Sequence, residues 1–348
     1  LTNVTFDNTT KNIQTITGGT SALLLKDFTF DELNRPTGYT DNNNIAVGYG
    51  YDNIGNVTRI DYPNGHKVYY TYDQANRLRT VKWNTTTVAT YVYVGSRLSY
   101  VEYGNGVRTT YNYDNAGRLD GMTTKTNNGS GSTIAGYTFE FDNLGNHLTE
   151  NITEPYTSIP TPPASTTTYT YKTNNQIETA GSTTFTHDGD GNIITKGGLT
   201  YTYDLEDNLI SITGNGLNIS FEYDAMGNRR IATRNSTVTK YVLDMLGMAD
   251  VLAELNDGNA AQNYYIHGLG LVARVKGDGS TIYYYHADFR GSVVAMTNAS
   301  QTITHKYQYD EYGNLTNSQE ADPNPFRYVG TYGIMYETAD LSYMRARY

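Results

Sequence analysis

One short phrase recurs along this chain and restricts the folds that it can adopt. Two aromatic residues stand two positions apart, an Asp follows the second, and a Leu or Val usually comes five positions after that Asp. Residues two apart lie on one face of a β-strand, and an Asp at the strand end favours a turn in which its side chain bonds the backbone two residues on. The aromatic pairs of the clearest copies are Tyr49 and Tyr51, Tyr70 and Tyr72, Tyr111 and Tyr113, Phe139 and Phe141, Tyr201 and Tyr203, Phe221 and Tyr223, and Tyr307 and Tyr309.

Each copy also carries the turn that should follow its strand. A Gly three residues after the Asp supplies the positive φ that a tight turn needs, and the return strand then begins. The phrase therefore predicts one strand, one turn and the start of the next strand. The turn residues are Asp52 and Gly55, Asp73, Asp114 and Gly117, Asp142 and Gly145, Asp204, Asp224 and Gly227, and Asp310 and Gly313.

A second series of turns keeps step with the first. In three copies an Asn-Gly pair has its Gly eight residues before the repeat Asp. Such pairs favour two-residue hairpin loops, in which both loop residues have positive φ. We therefore expect a loop of this type at three positions, which are Asn64-Gly65, Asn105-Gly106 and Asn215-Gly216.

The length of the repeat determines the fold class. Asp52 and Asp73 are 21 residues apart, and Asp204 and Asp224 are 20 apart. Such a unit holds two strands of about seven residues and two short turns, so it is one β-hairpin. A lone hairpin is unstable, whereas stacked hairpins bury their aromatic faces against each other. The sequence predicts one all-β domain over residues 1–348, a ribbon of hairpins coiled into a spiral shell or solenoid, with no helix longer than about three turns.

Composition excludes several classes of protein. The chain has 34 Tyr and 34 Gly but no Cys, which rules out disulfides, thiolate metal sites and a cysteine nucleophile. Its net charge of −10 argues against a nucleic-acid partner, because phosphate binding needs a positive surface. No apolar run is long enough to cross a bilayer. Since the sequence starts at Leu1 rather than Met, we interpret it as processed or as a fragment.

The strand pattern is interrupted at length in one place. Residues 150–168 hold four of the eight prolines together with many Thr, and they show no strand alternation. Because Pro cannot donate a hydrogen bond to a sheet, this composition predicts a surface loop or insertion.

Two groups of residues resemble metal sites, and the repeat explains both of them better. The stretch His187–Asn192 spaces its oxygen ligands like a calcium loop, but the later Gly and Glu of such a loop are missing. It aligns instead with the repeat turn at Asp52. His267 and His286, with Asp288, could hold zinc, yet a repeat brings like residues together anyway. We expect structural roles for all of them, and no catalytic residue, metal or cofactor.

Two further hypotheses concern sugars. An Asn- and Thr-rich chain produces many Asn-x-Ser/Thr sequons by accident. Rows of exposed Tyr are a separate candidate for binding glycans. Ten sequons occur, among them Asn3, Asn56, Asn151, Asn235 and Asn314.

The repeated YDxxGN or YDxxGR phrase followed by Leu resembles the RHS/YD-repeat family. That family includes bacterial Rhs polymorphic toxins, the C subunits of insecticidal toxin complexes and the extracellular teneurins. The resemblance runs from about Phe28 to the end of the chain, and residues 283–348 are similar to the core segment before the variable region of Rhs proteins. Within it, Thr338-Ala339-Asp340 departs from the Thr-Gly usual before the Leu, and no position matches the family's self-cleavage aspartates.

The resemblance implies a non-catalytic, secreted or cell-surface scaffold. Members of the family form a hollow shell from a spiralling β-ribbon, which encloses a toxin payload or an inward-folded segment. The partners implied are the chain's own flanking or C-terminal segments or further copies of itself, with glycans as an additional candidate, no nucleic acid and no membrane span. The alternative is a self-associating extracellular fibre or adhesin, built by edge-to-edge addition of the same ribbon.

The number of strands limits what such a shell can hold. At most about 34 strands spaced about 4.8 Å make a ribbon about 160 Å long, which wrapped as a sphere has a radius of roughly 17 Å. The space left inside the lining side chains is too small for a typical domain of about 100 residues. We therefore expect either part of a larger shell or a compact spiral filled by its own tyrosines.

Overall fold

The fold is described from a computed structural model. It describes residues 3–7, 11–17, 25–41, 43–156, 166–338 and 341–345. Residues 157–165, which are about half of the predicted Pro- and Thr-rich loop, lie outside this range, as do residues 339 and 340 of the predicted C-terminal turn.

The first half of the described chain forms one antiparallel sheet of 14 strands. Each strand pairs with its neighbours in sequence, so the sheet is a continuous series of hairpins. Its strands are β1 (Asn3–Phe6), β2 (Ile13–Thr17), β3 (Leu25–Phe30), β4 (Pro36–Asp41), β5 (Ala46–Tyr51), β6 (Val57–Asp61), β7 (Lys67–Tyr72), β8 (Leu78–Trp83), β9 (Thr86–Val94), β10 (Arg97–Tyr103), β11 (Arg108–Tyr113), β12 (Leu119–Lys125), β13 (Thr133–Phe141) and β14 (His147–Thr153).

The second half forms a sheet of 16 strands in the same sequential order. Its strands are β15 (Tyr169–Tyr171), β16 (Ile177–Ala180), β17 (Thr183–His187), β18 (Ile193–Lys196), β19 (Leu199–Tyr203), β20 (Leu209–Gly214), β21 (Leu217–Tyr223), β22 (Arg229–Arg234), β23 (Thr237–Leu243), β24 (Val251–Leu255), β25 (Ala261–Gly268), β26 (Gly270–Lys276), β27 (Ile282–Ala287), β28 (Val293–Thr297), β29 (Ile303–Tyr309) and β30 (Leu315–Glu320). A separate hairpin follows, formed by β31 (Met335–Thr338) and β32 (Leu341–Tyr343).

The all-β prediction is confirmed. The only helical elements in the described part of the chain are three 3-10 turns of three residues, at Pro63–Gly65, Asn127–Gly129 and Gly330–Tyr332. Among the described residues, no helix is long and apolar enough to cross a membrane. The strands form because apolar and polar residues alternate: in β21, Ile219, Phe221 and Tyr223 are buried, whereas Ser220 between the first two is exposed.

The predicted Asn-Gly loops are correct at only one of three positions. At Asn215-Gly216 both residues have positive φ, 50° and 79°, and Gly214 pairs with Leu217, so this is a two-residue loop. At Asn64-Gly65 both φ values are also positive, but the Tyr62 N–H donates to the His66 carbonyl, so the loop has three residues.

The third Asn-Gly prediction was wrong in its backbone geometry. At Asn105-Gly106 only Gly106 has positive φ, 83°. The Tyr103 N–H donates to the Val107 carbonyl at 2.8 Å, so this loop also has three residues. The predicted loop at 150–168 was wrong at its start as well, because β14 continues through Thr153.

The two sheets lie against each other as successive turns of one ribbon. The Tyr39 hydroxyl donates to the Leu243 carbonyl, the Trp83 indole N–H to the Gly279 carbonyl, and the Asn105 amide to the Asn298 carbonyl. These contacts advance together along both sheets, at separations of 204, 196 and 193 residues. One hydrophobic core contains side chains of both sheets, which confirms the predicted spiral of hairpins.

A buried ion pair shows where the ribbon returns on itself. Asp41 in β4 and Arg230 in β22 are both buried and lie 3.8 Å apart, so these two contacting strands are 22 minus 4, or 18, positions apart in the order of the described strands.

Candidate functional site

Each repeat Asp closes its turn with its own carboxylate. In the turn at Asp52, Oδ1 accepts hydrogen bonds from the backbone N–H groups of Ile54 at 3.0 Å and Asn56 at 2.9 Å. The Asn56 amide also donates to Asp52 Oδ2 at 2.9 Å. The same bond from the N–H four residues on is made by Asp73, Asp114, Asp142, Asp204, Asp224 and Asp310.

The fourth residue of these turns has positive φ throughout. Gly provides it at positions 55, 117, 145, 227 and 313, with φ between 77° and 98°. Asn76 and Asp207 replace the Gly in two turns, at φ 62° and 61°. Asn and Asp tolerate this left-handed region better than other side chains, so the turn survives without glycine.

The first aromatic residue of most repeat pairs is buried on the inner face of the ribbon. Tyr70 and Tyr111 are the two that are only half-buried. Their rings form the hydrophobic cores of the two sheets and of the seam between them. The buried ones are Tyr49, Phe139, Tyr201, Phe221 and Tyr307.

The second aromatic residue of the pair forms a hydrogen bond between units that the sequence pattern does not predict. Its hydroxyl donates to the backbone carbonyl of the first or second residue of an earlier return strand. Tyr72 reaches Val57 at 2.8 Å and Tyr113 reaches Leu98 at 3.1 Å. We call this series the hydroxyl ladder, and its other members are Tyr51 to Pro36, Tyr93 to Leu78, Tyr203 to Ile193, Tyr223 to Leu209 and Tyr309 to Val293. Phe141 has no hydroxyl with which to join it.

Arginines that end the turns hold consecutive units together. The Arg77 guanidinium pairs with Asp73 at 2.6 Å and lies 4.3 Å from the centre of the Tyr93 ring in the next unit. The hydrogen bonds from the Arg77 side chain and backbone lower the pKa of the Asp73 carboxyl. The same stacking joins Arg35 to Tyr51, Arg97 to Tyr113 and Arg118 to Phe141.

The C-terminal segment, residues 322–338 and 341–345, is the part of the chain that folds back onto the second sheet. Its β31–β32 hairpin contributes Met335 and Tyr343 to the core of that sheet. Glu337 pairs with Arg229 at 2.5 Å, and both side chains are fully buried. Arg234 also pairs with Glu337 at 2.5 Å. The Arg229–Glu337 ion pair joins residues that are 108 positions apart in sequence.

Aromatic rings enclose the buried Arg229 guanidinium. The ring of Tyr343 lies 4.0 Å from it, Tyr241 lies 4.9 Å away and Phe221 lies 5.3 Å away. Cation–π contacts of this kind are strongest where water is excluded. Arg229 is therefore held by one carboxylate and three rings, of which Tyr343 belongs to the C-terminal segment.

A second anchor fastens the start of the C-terminal segment. Arg274 donates to Asp322 at 2.5 Å and to the Pro323 carbonyl at 2.7 Å. Asn324 is buried and accepts a hydrogen bond from the Tyr285 hydroxyl at 2.8 Å. Phe326 is fully buried, with its ring edge-on to Tyr265 at 4.8 Å. Both ends of the segment are thus held by buried polar and aromatic contacts.

Three of the candidate metal ligands, Asp188, His267 and His286, have other partners. Asp188 Oδ1 accepts backbone N–H groups from Asp190, Gly191 and Asn192, as in the other repeat turns. His267 Nε2 lies 2.9 Å from the Val251 carbonyl, and His286 Nε2 lies 2.8 Å from Thr297 Oγ1. The described residues include no group of three His, Cys, Asp or Glu side chains that could hold a metal ion.

Sequence reasoning missed the buried arginines, of which Arg229 fastens the C-terminal segment and Arg230 joins the two sheets. The two form the longest basic run in the sequence, and nothing in the repeat indicates that both side chains are buried. Arg230 lies 3.8 Å from Asp41 and 3.8 Å from the repeat residue Asp224. One feature of the sequence could have indicated this, because Arg229 stands five residues after Asp224, where the other copies of the repeat usually have Leu or Val.

Comparison with known proteins identifies relatives over about a third of the chain. The tRNA(Glu)-specific nuclease WapA of Bacillus subtilis subsp. natto strain BEST195 is 33% identical over 132 residues, which are 37% of this chain and 6% of the relative. The tRNA3(Ser)-specific nuclease WapA of Bacillus spizizenii is 35% identical over 133 residues, again 37% and 6%. The chain thus matches only a small part of these much longer proteins.

Solved structures share the fold at low sequence identity. The Tc holotoxin pore of Photorhabdus luminescens, with a mutation in TccC3, superposes with a TM-score of 0.71 at 12% identity, over 99% of this chain and 23% of that one. The TcdB2-TccC3 complex without its hypervariable C-terminal region gives a TM-score of 0.67 at 13% identity, over 97% and 23%.

Family models match most of the sequence. The RHS repeat model matches residues 30–67. The teneurin YD-shell model matches residues 96–345, which is well over half of the chain. With this match and with the hairpin ribbon described above, the chain belongs to the teneurin YD-shell family.

Proposed function

We propose that this chain is a non-catalytic scaffold that acts outside the cytoplasm. In this proposal it is a spiral β-shell that fixes its own C-terminal segment on its inner face and carries whatever is joined to that segment. The observation that carries the proposal is the fully buried Arg229–Glu337 ion pair. A charge pair buried to this extent stays only if both partners stay, which suits a permanent anchor.

We infer that this ribbon alone does not enclose a folded payload. Phe326, Met335 and Tyr343 of the C-terminal segment are buried in the core of the second sheet, so the segment already occupies the face that a payload would contact. We therefore propose that a payload is enclosed only by a longer shell, of which this ribbon forms one part. The much greater length of the relatives supports this assignment.

The nuclease names of the WapA relatives describe whole proteins that this chain matches over 6% of their length. We assign no catalysis to the chain, because its repeat Asp residues are used in turns and its buried charges in anchors. Incubation of the purified protein with tRNA tests this directly. Intact tRNA is the expected result, and cleavage that follows the protein through purification would contradict the assignment.

Hydrogen exchange tests the anchoring. The amides of β31 are expected to exchange as slowly as those of the buried strand β26. Glu337→Gln should speed exchange in β31, because Arg229 and Arg234 lose their counter-charge. The matched control is Glu311→Gln, which alters an exposed turn residue and should leave β31 unchanged. If β31 of the unaltered protein exchanges as fast as exposed turns, the scaffold proposal loses its basis.

A second candidate function, a self-associating fibre or adhesin, rests on the exposed sheet ends. All seven residues of β14 are exposed, including Leu148 and Ile152. Tyr169 and Tyr171 of β15 are 53% and 59% exposed. Unpaired strand edges of this kind can add strands from other molecules, and exposed Tyr rings suit a sugar face. Sedimentation separates the two candidates, since the scaffold should remain monomeric and a fibre should grow with concentration.

A further inference from the structure

A cavity of about 710 Å³ lies at the seam between the two sheets. One wall comes from the first sheet and presents the aromatic side chains of Tyr70, Tyr72 and Tyr93. The opposite wall comes from the loop between β23 and β24, with Asp244 and Asp250, and from the end of β25, with His267. Arg77 also lines the cavity beside the rings, where it is paired with Asp73. The cavity therefore has an aromatic wall with one paired arginine, and an opposite wall with two carboxylates and a histidine.

The aromatic wall offers ring faces and one free hydroxyl. The hydroxyls of Tyr72 and Tyr93 are engaged in the hydroxyl ladder. The Tyr70 hydroxyl makes no hydrogen bond to any described residue, and burial raises its pKa well above the usual value, so it stays protonated. A hydroxyl in this state can both donate and accept a hydrogen bond.

The opposite wall contains a carboxylate that forms no ion pair with a described Lys or Arg. Asp244 Oδ1 accepts hydrogen bonds from the Tyr49 hydroxyl at 3.0 Å and the Leu246 N–H at 2.9 Å. Within the described residues no Lys or Arg pairs with Asp244, whereas Asp250 pairs with Arg345. Burial raises the pKa of the Asp244 carboxyl and the nearby Asp250 adds to this effect, whereas the hydrogen bonds from Leu246 and Tyr49 and the nearby His267 act in the opposite direction. A cation beside Asp244 would offset both costs.

We propose that this cavity binds a primary ammonium group on an alkyl chain, as found in a lysine side chain or in a polyamine. The ammonium group contacts the carboxylate of Asp244, and the alkyl chain lies against the rings of Tyr70 and Tyr72. Aromatic faces attract cations, and a cavity of this size accommodates a small ligand of this kind. The inference is independent of the scaffold proposal, because it concerns only the seam.

Calorimetric titration with cadaverine tests the proposal, and 1,5-pentanediol serves as its uncharged match. Saturable binding of cadaverine without binding of the diol is expected. A blocked Gly-Lys-Gly peptide, compared with Gly-Gln-Gly, identifies the source of the ammonium group. Binding of the lysine peptide alone assigns the site to a polypeptide, and binding of both amines shows that the ammonium chain suffices. No binding of either amine, or equal binding of the diol, overturns the proposal.

Two variants locate the binding at the cavity. Asp244→Asn and Tyr70→Leu should each weaken cadaverine binding by about tenfold, since one removes the charge and the other a ring face. Asp257→Asn is the control, because it removes the same charge from a side chain that is 80% exposed on another turn. Each variant is first checked for an unchanged urea midpoint. Equal weakening by the Asp257 change, or none by the other two, would mean nonspecific attraction and would refute the proposal.

Discussion

The hydroxyl ladder makes a quantitative prediction about how neighbouring units stabilise each other. Tyr69 and Tyr72 lie in the same strand, β7, but on opposite sides of the ribbon. Tyr72 donates its hydroxyl hydrogen bond to Val57, whereas Tyr69 is 38% exposed and its hydroxyl has no hydrogen-bond partner among the described residues. Replacing each by Phe removes one oxygen and leaves the ring in place.

The expected cost of Tyr72→Phe follows from the bond that it removes. A neutral hydrogen bond inside a protein contributes about 1 kcal/mol to the free energy of unfolding, and its loss leaves the Val57 carbonyl without this donor. Tyr69→Phe should change the free energy of unfolding by less than about 0.5 kcal/mol, as surface substitutions usually do. Replacing Tyr51, Tyr72, Tyr93 and Tyr113 together should cost about 4 kcal/mol if the four bonds are independent.

Urea unfolding followed by fluorescence measures these effects. The single tryptophan, Trp83, lies at the seam, with its ring centre 5.1 Å from that of Tyr264 in the second sheet, so its emission reports separation of the two turns. The expected order of midpoints is the quadruple variant lowest, then Tyr72→Phe, with Tyr69→Phe close to the unaltered protein. Equal midpoints for the two single variants would show that the ladder bonds contribute nothing.

Three further perturbations test the turns, a buried histidine and the absence of a metal. Gly106→Val should lower the free energy of unfolding by about 1 to 3 kcal/mol, because φ at Gly106 is +83° and the added Cβ would lie 3.0 Å from Asn128 and Gln301. The control in the same urea measurement is Gly189→Val, because φ at Gly189 is not positive and no atom lies within 4 Å of the added Cβ. Burial lowers the pKa of His286 to about 3, whereas its pKa in the unfolded chain is about 6.5. Between about pH 6.5 and about pH 3 the unfolded chain therefore binds one more proton at this residue than the folded chain does. The free energy of unfolding should fall by about 1.4 kcal/mol for each pH unit as the pH decreases through this range. His286→Gln should flatten that dependence in urea titrations at pH 5 and 7, and an unchanged slope would contradict the assignment. EDTA should leave the melting temperature unchanged, because the acidic turns are occupied by their own backbone N–H groups, and a clear fall would reverse this interpretation.

Local features of the fold could be predicted from the sequence because they depend on neighbouring residues. The Asp52 turn is complete within five residues, from its carboxylate to the Asn56 N–H, so the phrase contains all that it needs. The loop at Asn105-Gly106 shows the limit of this reasoning. Its type depends on the pairing of Tyr103 with Val107, which the two loop residues do not reveal.

Features that depend on the coiling of the ribbon could not be predicted. The partner of Arg229 is Glu337, which comes close only because the C-terminal segment folds back over the second sheet. The contact between Asp41 and Arg230 depends on how many strands complete one turn, which in turn depends on the twist between strands. No motif specifies that number, so the repeat predicts a spiral but not which of its residues meet.

Cross-linking tests the central claim, that residues about 193 positions apart are neighbours in successive turns of one spiral. The chain has no cysteine, so Asn105→Cys with Asn298→Cys introduces the only two thiols. The Asn105 amide lies 2.8 Å from the Asn298 carbonyl, so a short bismaleimide should link the two positions within one folded molecule and fail to do so in guanidinium. A folded protein in which these two cysteines do not cross-link would contradict the spiral and the account built on it.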